Sequence, residues 1–145
     1  MGNNWKITDT LTKVFAEEAP DGQGSIRLST LHRETVSCVI AYFGAADWGR
    51  YWKVSVKAPE KIETRLRRVE LVPSAYPCHK EQDDNYLRIV PGMYPDLLRD
   101  LDTEDDGADK KYLTKEVPGQ WRSLWLDVTV DAELAGGDYA IMIET

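Results

Sequence analysis

The chain of 145 residues is 42% hydrophobic and 30% charged, with 25 acidic against 18 basic side chains and a formal net charge of −7. That length suits one domain, since single cores commonly occupy about 100–200 residues. The apolar and aromatic content excludes intrinsic disorder, and no run approaches the ~20 apolar residues of a membrane-spanning helix. A net negative chain is also a poor general binder of nucleic acid, because a polyanion would have to be held by an anion.

The start, Met1-Gly2-Asn3-Asn4-Trp5-Lys6-Ile7, lacks the apolar stretch of a secretory signal. A cytoplasmic protein is expected, or one outside the cytoplasm from which a signal has been removed. Leu11–Ala16 and Ser25–Leu28 are candidate strands. Val36 to Phe43 is apolar on both faces, as in a central strand covered on each side. Trp52, Val54 and Val56 alternate with Lys53, Ser55 and Lys57, the period-two pattern of a half-buried strand. Ile62–Val72 continues the pattern but changes phase near Arg67-Arg68, which predicts a bulge or two short strands.

Residues 73–118 read as one long irregular insertion, with prolines and few alternating segments. Within it, Met93, Leu97, Leu98 and Leu101 suggest a short helix for which Asp96 would act as a cap. Leu124, Leu126, Val128 and Val130 resume the alternation, as do Tyr139, Ile141 and Ile143. Gly136-Gly137 predicts a tight connection between these two segments. About 7–10 short strands with almost no helix predict an all-β fold, an antiparallel β-sandwich formed as a single domain over residues 1–145.

Catalytic chemistry finds little support. Cys38 lies in the apolar run Val36–Ile40 and reads as a small buried hydrophobe, while Cys78 and His79 are sequence neighbours whose side chains diverge. The only two histidines, His32 and His79, form no metal-binding spacing, and neither a nucleophile elbow nor a phosphate-binding glycine loop is present. Asp102, Glu104, Asp106 and Gly107 fit the first positions of a calcium loop, yet the twelfth position is Leu113, where a carboxylate is required. The run 102–109 therefore reads as a solvated charged surface. No metal and no cofactor are expected.

Five tryptophans are many for this length. Trp52 is in phase with the core positions. Trp121 and Trp125 fall on the opposite phase, with Ser123, Asp127 and Thr129, on a face not filled by the core. Two readings stand for this pair: stacking on sugar rings, or burial beneath another domain.

Two blocks resemble a known family. Val72-Pro73-Ser74, Asn85-Tyr86-Leu87-Arg88 and Pro91-Gly92-Met93-Tyr94-Pro95-Asp96-Leu97-Leu98 form the first. The second is Pro118-Gly119-Gln120-Trp121-Arg122-Ser123-Leu124-Trp125-Leu126-Asp127-Val128, followed by Ala135-Gly136-Gly137-Asp138-Tyr139. Together with Arg33-Glu34-Thr35-Val36-Ser37, where Arg33 replaces the usual Asn, they are similar to the N-terminal domain of bacterial glycoside hydrolase family 123 and related glycoside-hydrolase-like proteins. The resemblance spans roughly residues 28–145.

It implies a β-sandwich that precedes a catalytic (β/α) barrel, and no catalytic residue is carried over to this chain. The expectation is thus a non-catalytic N-terminal accessory domain of a longer, glycosidase-like protein, partnered by the following catalytic domain of the same polypeptide. Tyr94, Pro95, Asp96 and Leu97 are the candidate interdomain interface. Trp121 and Trp125 are candidates for carbohydrate stacking or interface. An independent carbohydrate-binding module is the alternative, and neither nucleic acid nor a membrane span is expected.

Overall fold

The computed structural model describes residues 5–44, 51–79, 81, 85–105 and 110–145. Among the described residues, nine strands form two antiparallel sheets that pack face to face as a β-sandwich: β1 (Trp5–Thr8), β2 (Thr35–Phe43), β3 (Tyr51–Lys57), β4 (Ile62–Ser74), β5 (Gly92–Asp100), β6 (Asp102–Asp105), β7 (Lys110–Lys115), β8 (Trp121–Val130) and β9 (Met142–Glu144). The first sheet has the order β1-β2-β8-β4-β5, the second β6-β7-β3-β9. No helix among the described residues is long and apolar enough to cross a membrane.

The alternation expected from the sequence sets the inner faces. Val36 pairs with Val128, Cys38 with Leu126 and Ile40 with Leu124 across β2 and β8, and Leu66 of β4 meets Leu126 from the other side. Directly paired residues share a face, so these side chains form one apolar layer. Val54 of β3 and Tyr112 of β7 close it from the second sheet. Trp5, Tyr42 and Trp52 bring their rings within 4.6–5.2 Å of one another at one end of this core. The buried Tyr42 hydroxyl and Thr114 Oγ1 lie 2.9 Å apart, a hydrogen bond that joins the two sheets. Each fully buried Leu or Ile in this layer contributes about 1.5–3 kcal/mol relative to exposure.

Several expectations are corrected. Residues 73–118 are not one irregular insertion, because β5, β6 and β7 lie inside it, and among the described residues its longest stretch outside strands is the one between β4 and β5. The short helix over 93–101 is instead β5: Pro95 has no N–H to give a helix, while an edge strand tolerates it. Asp96 therefore caps nothing. It sits where β4 and β5 change register, Leu97 facing Glu70 and Pro95 facing Leu71, so the bulge falls at Glu70/Leu71 rather than at Arg67-Arg68. β6 is acidic and pairs with lysine-bearing β7, and Lys53 on β3 reaches Glu104 at 2.7 Å. Along β6 the side chains are charged or polar rather than alternately apolar.

Leu11–Ala16 and Ser25–Leu28 form no strands. Asp9 Oδ1 accepts the amides of Leu11 and Thr12, each at 2.9 Å, and this turn breaks extension at the outset. The segment then crosses the outer face of the first sheet, where Val14 packs on Val39 and Ala41 and the Trp121 amide donates to Ala16 O at 2.8 Å. Gly136-Gly137 makes no tight connection either. β8 and β9 belong to different sheets, the link between them runs from 131 to 141, and neither glycine has positive φ. Only Ile141 and Ile143 of the expected last strand reach the core, and Tyr139 stays exposed. Trp48, Asp106 and Gly107 lie outside the described residues.

Gly44 follows β2 where the backbone of Val117 crosses it. A Cβ there would lie 2.1 Å from Val117 O, whereas one at Gly24 would meet nothing within 4 Å. Gly44→Ala is therefore expected to destabilise the fold by about 1–3 kcal/mol, and Gly24→Ala to leave it within about 0.5 kcal/mol. Urea unfolding of both variants checks the contrast.

Candidate functional site

Two surfaces stand out, one along the edge of the first sheet and one on its outer face. The edge surface is built from β5 and the loop before it. Arg88 anchors that loop. Its guanidinium carbon stacks 3.6 Å from the centre of the Phe15 ring, while its nitrogens donate to Glu17 and, at 3.3 Å, to Glu18. The hydrogen bond from Arg88 holds the Glu17 carboxyl below its ordinary pKa. Tyr94 is partly buried, its ring edge-on to Phe15 at 5.8 Å and its hydroxyl donating to Val90 O and, at 3.4 Å, to Arg88 O. Pro95 is buried, and its carbonyl accepts from Lys13 Nζ at 3.5 Å. These contacts fix the backbone while leaving neighbouring apolar side chains in water.

Leu87 is 74% exposed and Leu97 47%, and Ile89, Val90 and Met93 are exposed with them. Asp96 is exposed beside Leu97. Of the four residues expected at an interface, then, Asp96 and Leu97 face solvent, whereas Tyr94 and Pro95 serve as supports beneath. Scattered apolar residues are ordinary on a surface; these lie close together in sequence on a pinned segment. Arg88 escaped the sequence reading. An arginine between apolar neighbours, Leu87 and Ile89, is its only local signal.

The outer-face surface contains Trp121 and Trp125, both on the phase away from the inter-sheet core, as the alternation requires. Both are partly buried, packed around Val14, Val39 and Ala41. Trp121 lies 5.5 Å from Phe43 between ring centres, and Lys6 Nζ sits 5.5 Å from its ring centre. The strap through Val14 thus covers part of the face on which the pair lies.

Trp125 is fixed by chemistry as well as packing. Its indole N–H donates to Asp127 Oδ1 at 2.7 Å, Ser37 Oγ donates to the same oxygen at 2.7 Å, and Arg67 donates to Oδ2 at 2.5 Å. Burial alone would raise the Asp127 carboxyl, but these donors outweigh it and hold the group below its ordinary pKa. Arg67 Nε is buried without a hydrogen-bond partner among the described residues. The convergence of Ser37 and Arg67 on Asp127 went unseen in the sequence because three strands contribute the three residues. Only Trp125-x-Asp127, two polar-phase positions on one strand, gave a local hint.

No group of three or more His, Cys, Asp or Glu among the described residues could hold a metal ion. Cys38 is buried in the core, and that burial, with the Asp127 charge behind it, pushes its thiol up to about 11. The arrangement on the outer face can present an aromatic ring beside fixed donors and acceptors. No protein-family model matches the chain, and no curated protein matches it.

A carboxyl held below its ordinary pKa stabilises the fold above that ordinary value and loses this contribution as pH falls through the depressed one. Asp127→Asn is accordingly expected to cost stability near neutral pH, with the gap from the unaltered protein closing as pH falls from about 6 to about 2. Urea unfolding across that range reads the closing gap directly.

Proposed function

We propose that the chain is a non-catalytic accessory β-sandwich domain of a glycoside-hydrolase-like protein, docked onto a following catalytic barrel through β5 and the loop before it. The observation that carries this reading is a set of apolar side chains left in water along a pinned edge: Leu87, Ile89, Val90, Met93 and Leu97 stand exposed on a backbone held by Arg88 and Tyr94. Interfaces gain most where the contact surface is ordered in advance, since less conformational freedom is lost on docking. In this reading the chemistry belongs to the barrel, and these 145 residues supply support and one side of the interdomain contact.

A second reading, an independent carbohydrate-binding module, rests on Trp125 held beside Ser37, Arg67 and Asp127. It is weaker, because stacking on a sugar needs open aromatic faces, and both tryptophans are partly buried against the cluster of Val14, Val39 and Ala41. Retardation in glycan affinity gels, abolished by Trp125→Ala, would favour it.

The docking reading is tested by hydrogen exchange on the product of the full reading frame and on this chain alone. Backbone amides of 85–97 are expected to exchange at least tenfold more slowly in the longer protein. Leu87→Glu with Leu97→Glu should remove that protection while changing the stability of the chain alone by less than about 0.5 kcal/mol. Equal exchange in both proteins, or a reading frame that ends at Thr145, overturns the assignment.

A further inference from the structure

Each of the two sheets ends in two edge strands, and three of the four edges are guarded. β1 is covered by Gln23, which exchanges backbone hydrogen bonds with Ile7 at 2.6 and 3.0 Å. β5 carries Pro95 beside an irregular register, and β6 bears Asp102, Glu104 and Asp105. A covering segment, proline, irregular pairing and charge are the usual means by which a sheet edge is kept from further pairing.

The fourth edge is stepped. β9 pairs with Ser55, Val56 and Lys57 of β3 and goes no further, whereas β7, on the other side of β3, pairs from Ser55 to Tyr51. Among the described residues, Tyr51–Val54 have no strand on the β9 side and make no backbone–backbone hydrogen bond besides the ladder to β7. Alternate residues of an antiparallel strand turn both N–H and C=O to the same side, so two of these four aim a donor and an acceptor each at the vacancy.

We propose that this side of β3 receives an extended segment of a partner polypeptide as an added strand, in line with β9 and antiparallel to β3, apolar where it faces inward and acidic where it faces outward. Main-chain groups set the class of partner, since an extended polypeptide carries complementary donors and acceptors at the same repeat. Side chains set the pattern. Val54 is buried in the core and Trp52 packs against it, with the Trp5 ring 4.6 Å from that of Trp52; both tryptophans are partly buried, so an inward residue of the added strand meets aromatic surface. Tyr51 and Lys53 alternate with them on the outward face and are exposed. β9 already shows this pattern, for Ile143 packs on the core while Glu144 meets Lys57 at 2.8 Å. An acid across from Lys53 repeats that pairing. The site is independent of the docking reading, since it shares no residue with β5 or the loop before it.

Magnetic resonance of the isotope-labelled chain, titrated with the peptide acetyl-TVEVT-amide, tests the assignment. Saturable shifts are expected at the amides of residues 51–54, with exchange of those facing the vacancy slowed by about tenfold at saturation. N-methylation then removes donors from one edge of the peptide at a time, with no change to the chain. Methylating the two valine amides, or instead the glutamate and threonine amides, is expected to weaken binding about tenfold in one case and to spare it in the other. A peptide with lysine in place of glutamate is expected to bind about threefold more weakly to the unaltered chain, and more tightly than the original to Lys53→Glu. Absence of saturable binding, shifts centred away from 51–54, or equal effects of the two methylations overturns the site. A charge preference that Lys53→Glu leaves in place overturns the acidic outward position.

Discussion

The ladder between β2 and β8 pairs Thr35 through Phe43 with Thr129 through Trp121 without interruption, and both of its faces are put to use. Because consecutive side chains alternate in direction, a one-residue slip would exchange Cys38, Ile40 and Tyr42 for Val39 and Ala41 on the inner face. Such a slip would empty the core and strip Val14 of its partners at the same stroke. β4 joins β8 in register with that ladder, β5 joins β4, and β1 joins β2, so the whole first sheet takes its phase from this one pairing. The outward cluster depends on it too: Ser37 reaches Asp127 because the two are directly paired, and Arg67 because β4 enters the same register.

The core strands were legible in the sequence for a plain physical reason. β2, β3 and β8 are covered on at least one face, so burial selects apolar residues at every second position, and Val54, Leu124, Leu126 and Val128 carry that record. Strands at an edge leave a fainter trace. β5 leaves Met93 and Leu97 exposed to water, and its spacing imitates a helix. β6 is written in Asp, Thr and Glu because its pairing is balanced by lysines across the gap. The strap from Asp9 through Ala16 holds apolar residues that pack without extending, so composition alone made it look like a strand.

The same contrast governs the surfaces. Trp121 and Trp125 could be placed on the outward phase by counting along β8. Nothing within reach of that count reveals that Ser37 and Arg67 converge on Asp127, since they come from strands related only by register. Tyr94, Pro95, Asp96 and Leu97 were recognisable as a unit from a resemblance, but their division of labour follows from three dimensions. Tyr94 and Pro95 lie against the strap that carries Phe15 and Lys13, while Asp96 and Leu97 lie on the far side of that support.

Pro95 also bears on what kind of contact β5 can make. A sheet edge offers unpaired amides and carbonyls, the usual template for adding another strand and for aggregation. Proline in the middle of the strand removes one donor, and the irregularity between Glu70 and Leu71 twists the edge away from a straight template. Continuous strand addition along β5 is thus blocked at its midpoint, for a stray chain as for a partner. Association along this edge must proceed through side chains, which carry shape and therefore selectivity, whereas a backbone ladder would accept nearly any extended segment.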